Sequence, residues 1–263
     1  METKNILQVE NLKVDIGKPI IKGVRFEVAG SEKLGIFGQS GSGKSLTMYA
    51  VMDLLPEHAA VEGKILLDGK NLLELSPTKR RKFLGKSVSM IFQDSINALN
   101  PYEKISRQIL RTIKLHHGLS KQAAREFAEQ QLLEMGLEPK RVLASYPHEL
   151  SGGMRQRVFI ALSLCARPKL IIADEPTTSL DTISQMRFIE LMGEISEKRH
   201  LPLIFISHNL GLIAGLCDRV LVMSEGEIIE KGRVEDIFSC PKHPVTAEIV
   251  SETRKLYEED LHE

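Results

Sequence analysis

The chain has 263 residues, 42% of them hydrophobic, and its 35 Lys plus Arg equal its 35 Asp plus Glu. That is enough apolar material for one large α/β unit with a subdomain, and no basic field points to nucleic acid as a partner. Three scattered cysteines (Cys165, Cys217, Cys240) contain no C-x-x-C pair, which argues against a disulfide framework or a metal cluster. No apolar run approaches the about 18 residues of a membrane span, and Met1-Glu2-Thr3-Lys4 does not open a signal peptide, so the expectation is a cytosolic protein that meets membranes only through partners.

In chain order, Ile6–Val9, Leu12–Ile16 and Gly23–Val28 read as short strands broken by Gly17, Pro19 and Gly30. With Lys64–Leu67 they suggest an antiparallel sheet beside a second core. Leu34-Gly35-Ile36-Phe37 reads as a buried strand. It runs into Gly38-Gln39-Ser40-Gly41-Ser42-Gly43-Lys44-Ser45, which matches the phosphate-loop pattern G-x-x-x-x-G-K-[ST]. Glycines let backbone N–H groups close round a polyphosphate, Lys44 supplies a point charge, and the Ser45 hydroxyl suits a magnesium position. Ser45 to Leu55 continues as a helix whose N-terminus favours anions, and Leu46 at its start is expected among the ATP-binding residues.

From about Asp94 to Gln156 the pattern becomes helical, with helices over Ile105–Leu115 and Lys121–Met135, the second entered by Ser120 as N-cap and closed by Gly136. His116-His117 are adjacent on a helix, face different ways and read as structural. Leu150-Ser151-Gly152-Gly153-Met154-Arg155-Gln156 opens another helix with exposed N–H groups, small residues and nearby positive charge, the makings of an anion site; alone it would also fit a plain Ser N-cap. Apolar runs then return as parallel strands, Leu170–Ala173 and Leu203–Ile206. The first ends in Asp174 and Glu175. Successive strand side chains point oppositely, so the two carboxylates divide the work: Asp174 to magnesium through water, Glu175 to the attacking water as general base. Pro241 and Pro244 open a short polar tail.

The string Leu150–Gln156, set beside the phosphate loop, resembles the signature of the ABC-transporter ATPases. The resemblance covers about residues 6–250. It implies an α/β fold with a P-loop NTPase (RecA-like) core, an antiparallel β subdomain and an α-helical signature subdomain. One domain would fill 1–263, with core and β subdomain over 1–93 and 157–240, helical subdomain over 94–156, and tail over 241–263. It also implies ATP and Mg2+ as ligands. Ile91-Phe92-Gln93-Asp94 is similar to the Q-loop, giving Gln93 to magnesium and the γ-phosphate. Ile206-Ser207-His208 matches the switch histidine, and Ser179-Leu180-Asp181 the D-loop. Where relatives stack an aromatic on adenine, this chain offers Ile16.

Family members form head-to-tail dimers, so Ser151, Gly152, Gly153 and Gln156 would reach the ATP of the opposite protomer, and a lone chain would be nearly inactive. More finely, Ser40–Thr47 with Met52–Pro56, Asn97–Pro101, Ser145–Leu150 and Pro241–Thr246 are similar to the D-type ATPases of peptide and nickel importers. That resemblance implies a related F-type ATPase, or a second copy of the chain, as dimer partner. It also implies two membrane permeases, an external solute-binding protein, and a peripheral place on the cytoplasmic membrane face. The tail favours nickel or a metal chelate as solute, with di- or oligopeptides as the alternative.

Overall fold

The computed structural model describes residues 5–92, 98–178 and 180–259. Among the described residues the strands run β1(Asn5–Asp15), β2(Pro19–Ala29), β3(Lys33–Phe37), β4(Ala60–Leu67), β5(Lys70–Asn71), β6(Val88–Ile91), β7(Leu170–Asp174), β8(Leu203–Ser207), β9(Arg219–Ser224) and β10(Glu227–Arg233). The α-helices are α1(Lys44–Met52), α2(Pro77–Ser87), α3(Ile105–His116), α4(Lys121–Glu134), α5(Pro139–Ala144), α6(Gly152–Leu164), α7(Thr182–Arg199), α8(Leu210–Leu216), α9(Val234–Ser239) and α10(Pro244–Glu259).

The strands form two sheets. One is antiparallel, in the order β2-β1-β4-β5. The other runs β10-β9-β3-β8-β7-β6, parallel except for the edge strand β10. The parallel strands are apolar on both faces because both are covered. Leu34, Ile36, Leu170, Ile172, Ile204, Ile206, Leu221 and Met223 pack toward the antiparallel sheet and α1. Their alternating neighbours Phe37, Ile171, Ala173, Leu203, Phe205, Val220 and Val222 join the core made with the helices. Period-two alternation therefore builds two cores against one sheet.

The pattern that reads as two strands, Ile6–Val9 and Leu12–Ile16, folds as the continuous β1. Asn11 takes a left-handed φ of 49° beside a register shift against β2, so the two expected strands are one bulged strand. Ser120 does cap α4, accepting from the Ala123 N–H at 3.2 Å, and Gly136 takes φ +68° just beyond it.

The expected subdomain boundary at 156 falls inside α6. That helix starts at the signature and continues through buried Val158, Ile160, Ala161 and Leu164, so one rigid rod joins the helical region to the core. The expected polar tail differs more. Residues 244–259 form α10, entered by Pro244, with Thr246 and Val250 buried and Ile249 packed on the core. Glu230 of β10 holds its approach by accepting the Lys242 and His243 N–H groups at 2.8 and 3.0 Å. Among the described residues no helix is long and apolar enough to cross a membrane.

Candidate nucleotide site

The site grows from the C-terminal edge of the parallel sheet, where ligands gather in open α/β folds. β3 ends at Phe37, and the chain turns through 38–43 into α1. Two positions there require glycine. A Cβ on Gly38 would lie 2.3 Å from the Met223 carbonyl oxygen, and Gly43 combines φ +99° with a Cβ 2.6 Å from Ile21 Cδ1. The turn is closed by the Ser42 N–H on the Gln39 carbonyl (3.2 Å) and the Gly226 N–H on the Ser42 carbonyl (3.0 Å). The Ser42 hydroxyl is buried with no hydrogen-bond partner among the described residues.

Lys44 is 4% exposed and curls back to donate to the Gly38 and Gln39 carbonyls at 2.8 and 3.0 Å. Its Nζ stands 3.8 Å from Glu175 Oε1. Burial pushes the amine below its ordinary pKa, outweighing the pull of Glu175 and Asp174. Asp174, also 4% exposed, accepts from the Ser45 hydroxyl at 2.8 Å. Burial pushes its pKa up, outweighing the bonds from Ser45 and Tyr49. The cation thus lacks negative charge and the anion lacks positive charge. A polyphosphate with a divalent cation corrects both deficits at once, and the Ser45 hydroxyl and Asp174 carboxylate are the hard oxygen donors that magnesium takes.

Glu175 follows β7 with a left-handed φ of 45°, uncommon for a residue with a Cβ, and its N–H bonds to the Ile206 carbonyl at 3.0 Å. Its Oε2 lies 2.7 Å from His208 Nδ1 and accepts from the Thr178 hydroxyl at 3.1 Å. With Glu175 ionised, Nδ1 is the donor. Because β8 sits between β3 and β7, the histidine at its end stands between phosphate loop and carboxylate.

Phe37, Gly38, Gln39, Ser40, Glu175 and His208 line one cavity of about 540 Å3, whose remaining wall is Ile249, Glu252 and Thr253 of α10. The structure therefore gathers Gly38–Ser45, Asp174, Glu175 and His208. Ser151, Gly152 and Gly153 do not line that cavity. They form the start of α6, with Ser151 and Gly153 exposed and Gly152 half-buried, where a Cβ on either glycine would meet only open space. Ser151 caps that end, its hydroxyl oxygen accepting from the Met154 N–H at 3.4 Å.

Other expected residues stand apart. Gln156, expected to reach the opposite protomer's ATP, is 6% exposed and donates to the Pro176 carbonyl at 3.3 Å. One turn and a half into α6, its side chain faces the core instead. Asp181 is the N-cap of α7, accepting from the Ser184 N–H at 2.9 Å, and these bonds to Ser184 hold its carboxyl below the ordinary range. Ile16 and Leu46 pack on the core between the sheets, and neither lines the cavity. Gln93 and Ser179 lie outside the described residues. His117 bonds the Cys165 carbonyl at 2.7 Å and meets Phe127 edge-on, as a structural residue does.

Sequence reasoning missed Tyr49, Thr178 and the α10 wall. Tyr49 had a signal: it is four residues after Ser45, on the same face of α1, and the two share Asp174.

Residues 21–178 match the family described as ABC transporter. OppD of Bacillus subtilis, an oligopeptide transport ATP-binding protein, is 45% identical over 86% of this chain, and the match covers 64% of its own length. OppD of Haemophilus influenzae is 41% identical over 98% of this chain and 81% of its own. CntD of Staphylococcus aureus, from a metal-staphylopine import system, is 40% identical over 93% of this chain and 91% of its own. Among solved structures, CbiO1 from Clostridium perfringens, part of an ABC transporter complex, superposes with a TM-score of 0.80 at 28% identity, covering 90% of this chain and 91% of that one. A dimeric bacterial ABC transporter cassette gives 0.73 at 25% identity, over 87% and 98% of the two chains. With the phosphate loop, the paired carboxylates and this fold in one chain, the protein belongs to the ABC transporter ATPase family.

Proposed function

We propose that the chain is the ATP-hydrolysing subunit of an importer for oligopeptides, acting as a head-to-tail dimer beneath two permeases fed by a solute-binding protein, on the cytoplasmic face of the membrane. The observation that carries the hydrolysis is Glu175, held between Lys44 at 3.8 Å and His208 at 2.7 Å on the rim of the phosphate loop.

In this reading the N–H groups of 38–45 and Lys44 bind the phosphates. Glu175 takes the proton of the attacking water, ADP and phosphate leave, and His208 holds the Glu175 carboxylate in place. Ser45 and Asp174 would hold magnesium, which when bound neutralises charge on the phosphates. Gln93 would sense the γ-phosphate from the junction with the helical region. Ser151, Gly152 and Gly153 would close the partner's site, which fits the exposure of Ser151 and Gly153 and the position of all three outside this chain's own cavity. The partner is a related F-type ATPase or a second copy.

On the solute, the preference for nickel or a metal chelate drawn from the tail gives way. The first two relatives carry an oligopeptide name, and the tail that supported metal is a docked helix. A metal-chelate importer remains the second reading, favoured by the 40% identity to CntD over 93% of this chain.

The test is recovery of the tagged protein from mild-detergent membranes with MgATP. A second signature-bearing ATPase with permeases and a peptide-binding protein is the expected result. A binding protein loaded with metal chelate would select the second reading, and a solitary protein would refute the transport role.

A further inference from the structure

The buried amide of Gln156 joins two places that serve different nucleotides. α6 begins at the Ser151-Gly152-Gly153 end, which in the head-to-tail reading meets the partner's ATP. Gln156 lies five residues on, about 7.5 Å along the same rod. There its Nε2 donates to the carbonyl of Pro176, the residue directly after Glu175. Proline brings no N–H of its own, so this part of the turn is held through its carbonyls. A second glutamine, Gln185 of α7, donates to the Thr177 and Leu180 carbonyls at 3.1 and 3.3 Å. Thr178 closes the turn on the Glu175 carbonyl at 3.2 Å.

Glu175 needs such support. Its left-handed φ of 45° persists only where the surroundings over-determine it. The Gln156 bond, at 3.3 Å, is at the long end for N–H···O, so it tightens or breaks with a small shift of α6 against the sheet.

We propose that Gln156 is a positioning residue that couples the two composite sites. When the partner's nucleotide engages the start of α6, the rod moves Gln156, and Gln156 sets the Pro176 turn that aims this protomer's Glu175. The proposal rests on the head-to-tail reading of the preceding section. It makes signature engagement at one site a condition for full base placement at the other.

The test uses the full chain in the assembly with which it copurifies, assayed with MgATP. Gln156→Leu removes the amide at similar volume, and Gln156→Glu keeps the shape while setting an acceptor against the Pro176 carbonyl. Both are expected to lower kcat about three- to ten-fold, the value of one lost hydrogen bond, with KM for ATP and ATP-driven dimerisation within two-fold of the unaltered chain. If Gln156→Leu fails to fold, Gln156→Glu is read alone. A second measurement needs no variant: hydrogen exchange at the Thr177 and Thr178 amides should slow when ATP closes the dimer. Unchanged kcat in a folded variant, a KM that rises while kcat holds, or unchanged exchange would overturn the proposal. Glu175→Gln serves as the control. If ATP does not dimerise that variant, the head-to-tail reading falls; if it does while the Gln156 variants keep full kcat, only the coupling falls.

Discussion

Replacing Glu175 by Gln keeps the side chain's shape and removes its charge, and the structure gives opposite signs for its effects on binding and turnover. Lys44 Nζ stands 3.8 Å from Oε1, a gross attraction of about 4 kcal/mol at an effective dielectric near 20. Burial nevertheless holds the Lys44 pKa down, so desolvation outweighs both nearby carboxylates and the amine is short of negative charge. Removing Glu175 deepens that shortage and takes a like charge away from the phosphates. If about a tenth to a quarter of the gross attraction survives screening, ATP binds about 0.4–1 kcal/mol tighter, or two- to five-fold. Turnover falls about 10²- to 10⁴-fold with the loss of the base, an increase of about 2.7–5.5 kcal/mol in the barrier. Fluorescence titration of the chain with a nucleotide analogue, and phosphate release from the assembly with which the chain copurifies, measure the two quantities. Turnover within ten-fold of the unaltered protein would refute the base assignment, and weaker binding would refute the charge argument.

Three further outcomes follow from the same geometry. Lys44→Ala should abolish measurable ATP binding by the same titration, and unchanged affinity would remove the phosphate loop from the account. Asp174→Asn should raise the thermal midpoint of the ligand-free chain at pH 7. Asp174 has a folded pKa raised by burial, so its ionised form weakens the fold above that value, and the penalty disappears as pH falls through it toward about 4. The gain from Asn should therefore shrink along the same acid titration, and a gain that grows toward acid would show the sign to be wrong. Gly38→Ala forces a methyl to 2.3 Å from the Met223 carbonyl oxygen and 2.6 Å from Ser42 Oγ. An overpacking cost of about 1–3 kcal/mol should appear in urea unfolding, with loss of ATP binding.

The chemistry-bearing stretches were legible because they are local. The phosphate loop, the apolar strand closing on Asp174-Glu175 and the Ser120 cap each sit within a dozen residues, where spacing states geometry directly. What was not legible depends on distant partners. The bulge at Asn11 is fixed by pairing with β2 and β4, so a break in the pattern looked like the end of a strand. α10 carries buried Thr246 and Val250 between polar residues, and Glu230, far back in sequence, anchors it, so its prolines suggested an unstructured end. The β9–β10 hairpin had a local signal that went unread: Glu225-Gly226, both with positive φ, after an apolar strand. Gln156 shows the limit most plainly. A glutamine beside an anion-binding turn reads as a ligand contact, and only the packing of α6 on the Pro176 turn turns its amide inward.

β8 has a consequence for how the molecule is made. It separates the strand that delivers the phosphate loop from the strand that delivers the carboxylates, so their spacing, about 10 Å, is two rungs of backbone ladder. Ser45 and Asp174 are 129 residues apart in the chain, and β8 is the last of these three strands to be synthesised. During translation the phosphate loop therefore emerges long before anything can hold it in register. A growing chain cannot acquire a nucleotide site until residue 207 has left the ribosome and slotted between two strands already made. Competence to bind ATP then reports that β3, β8 and β7 have come into register, which gives the cell a ligand that rewards only chains whose central strands have paired.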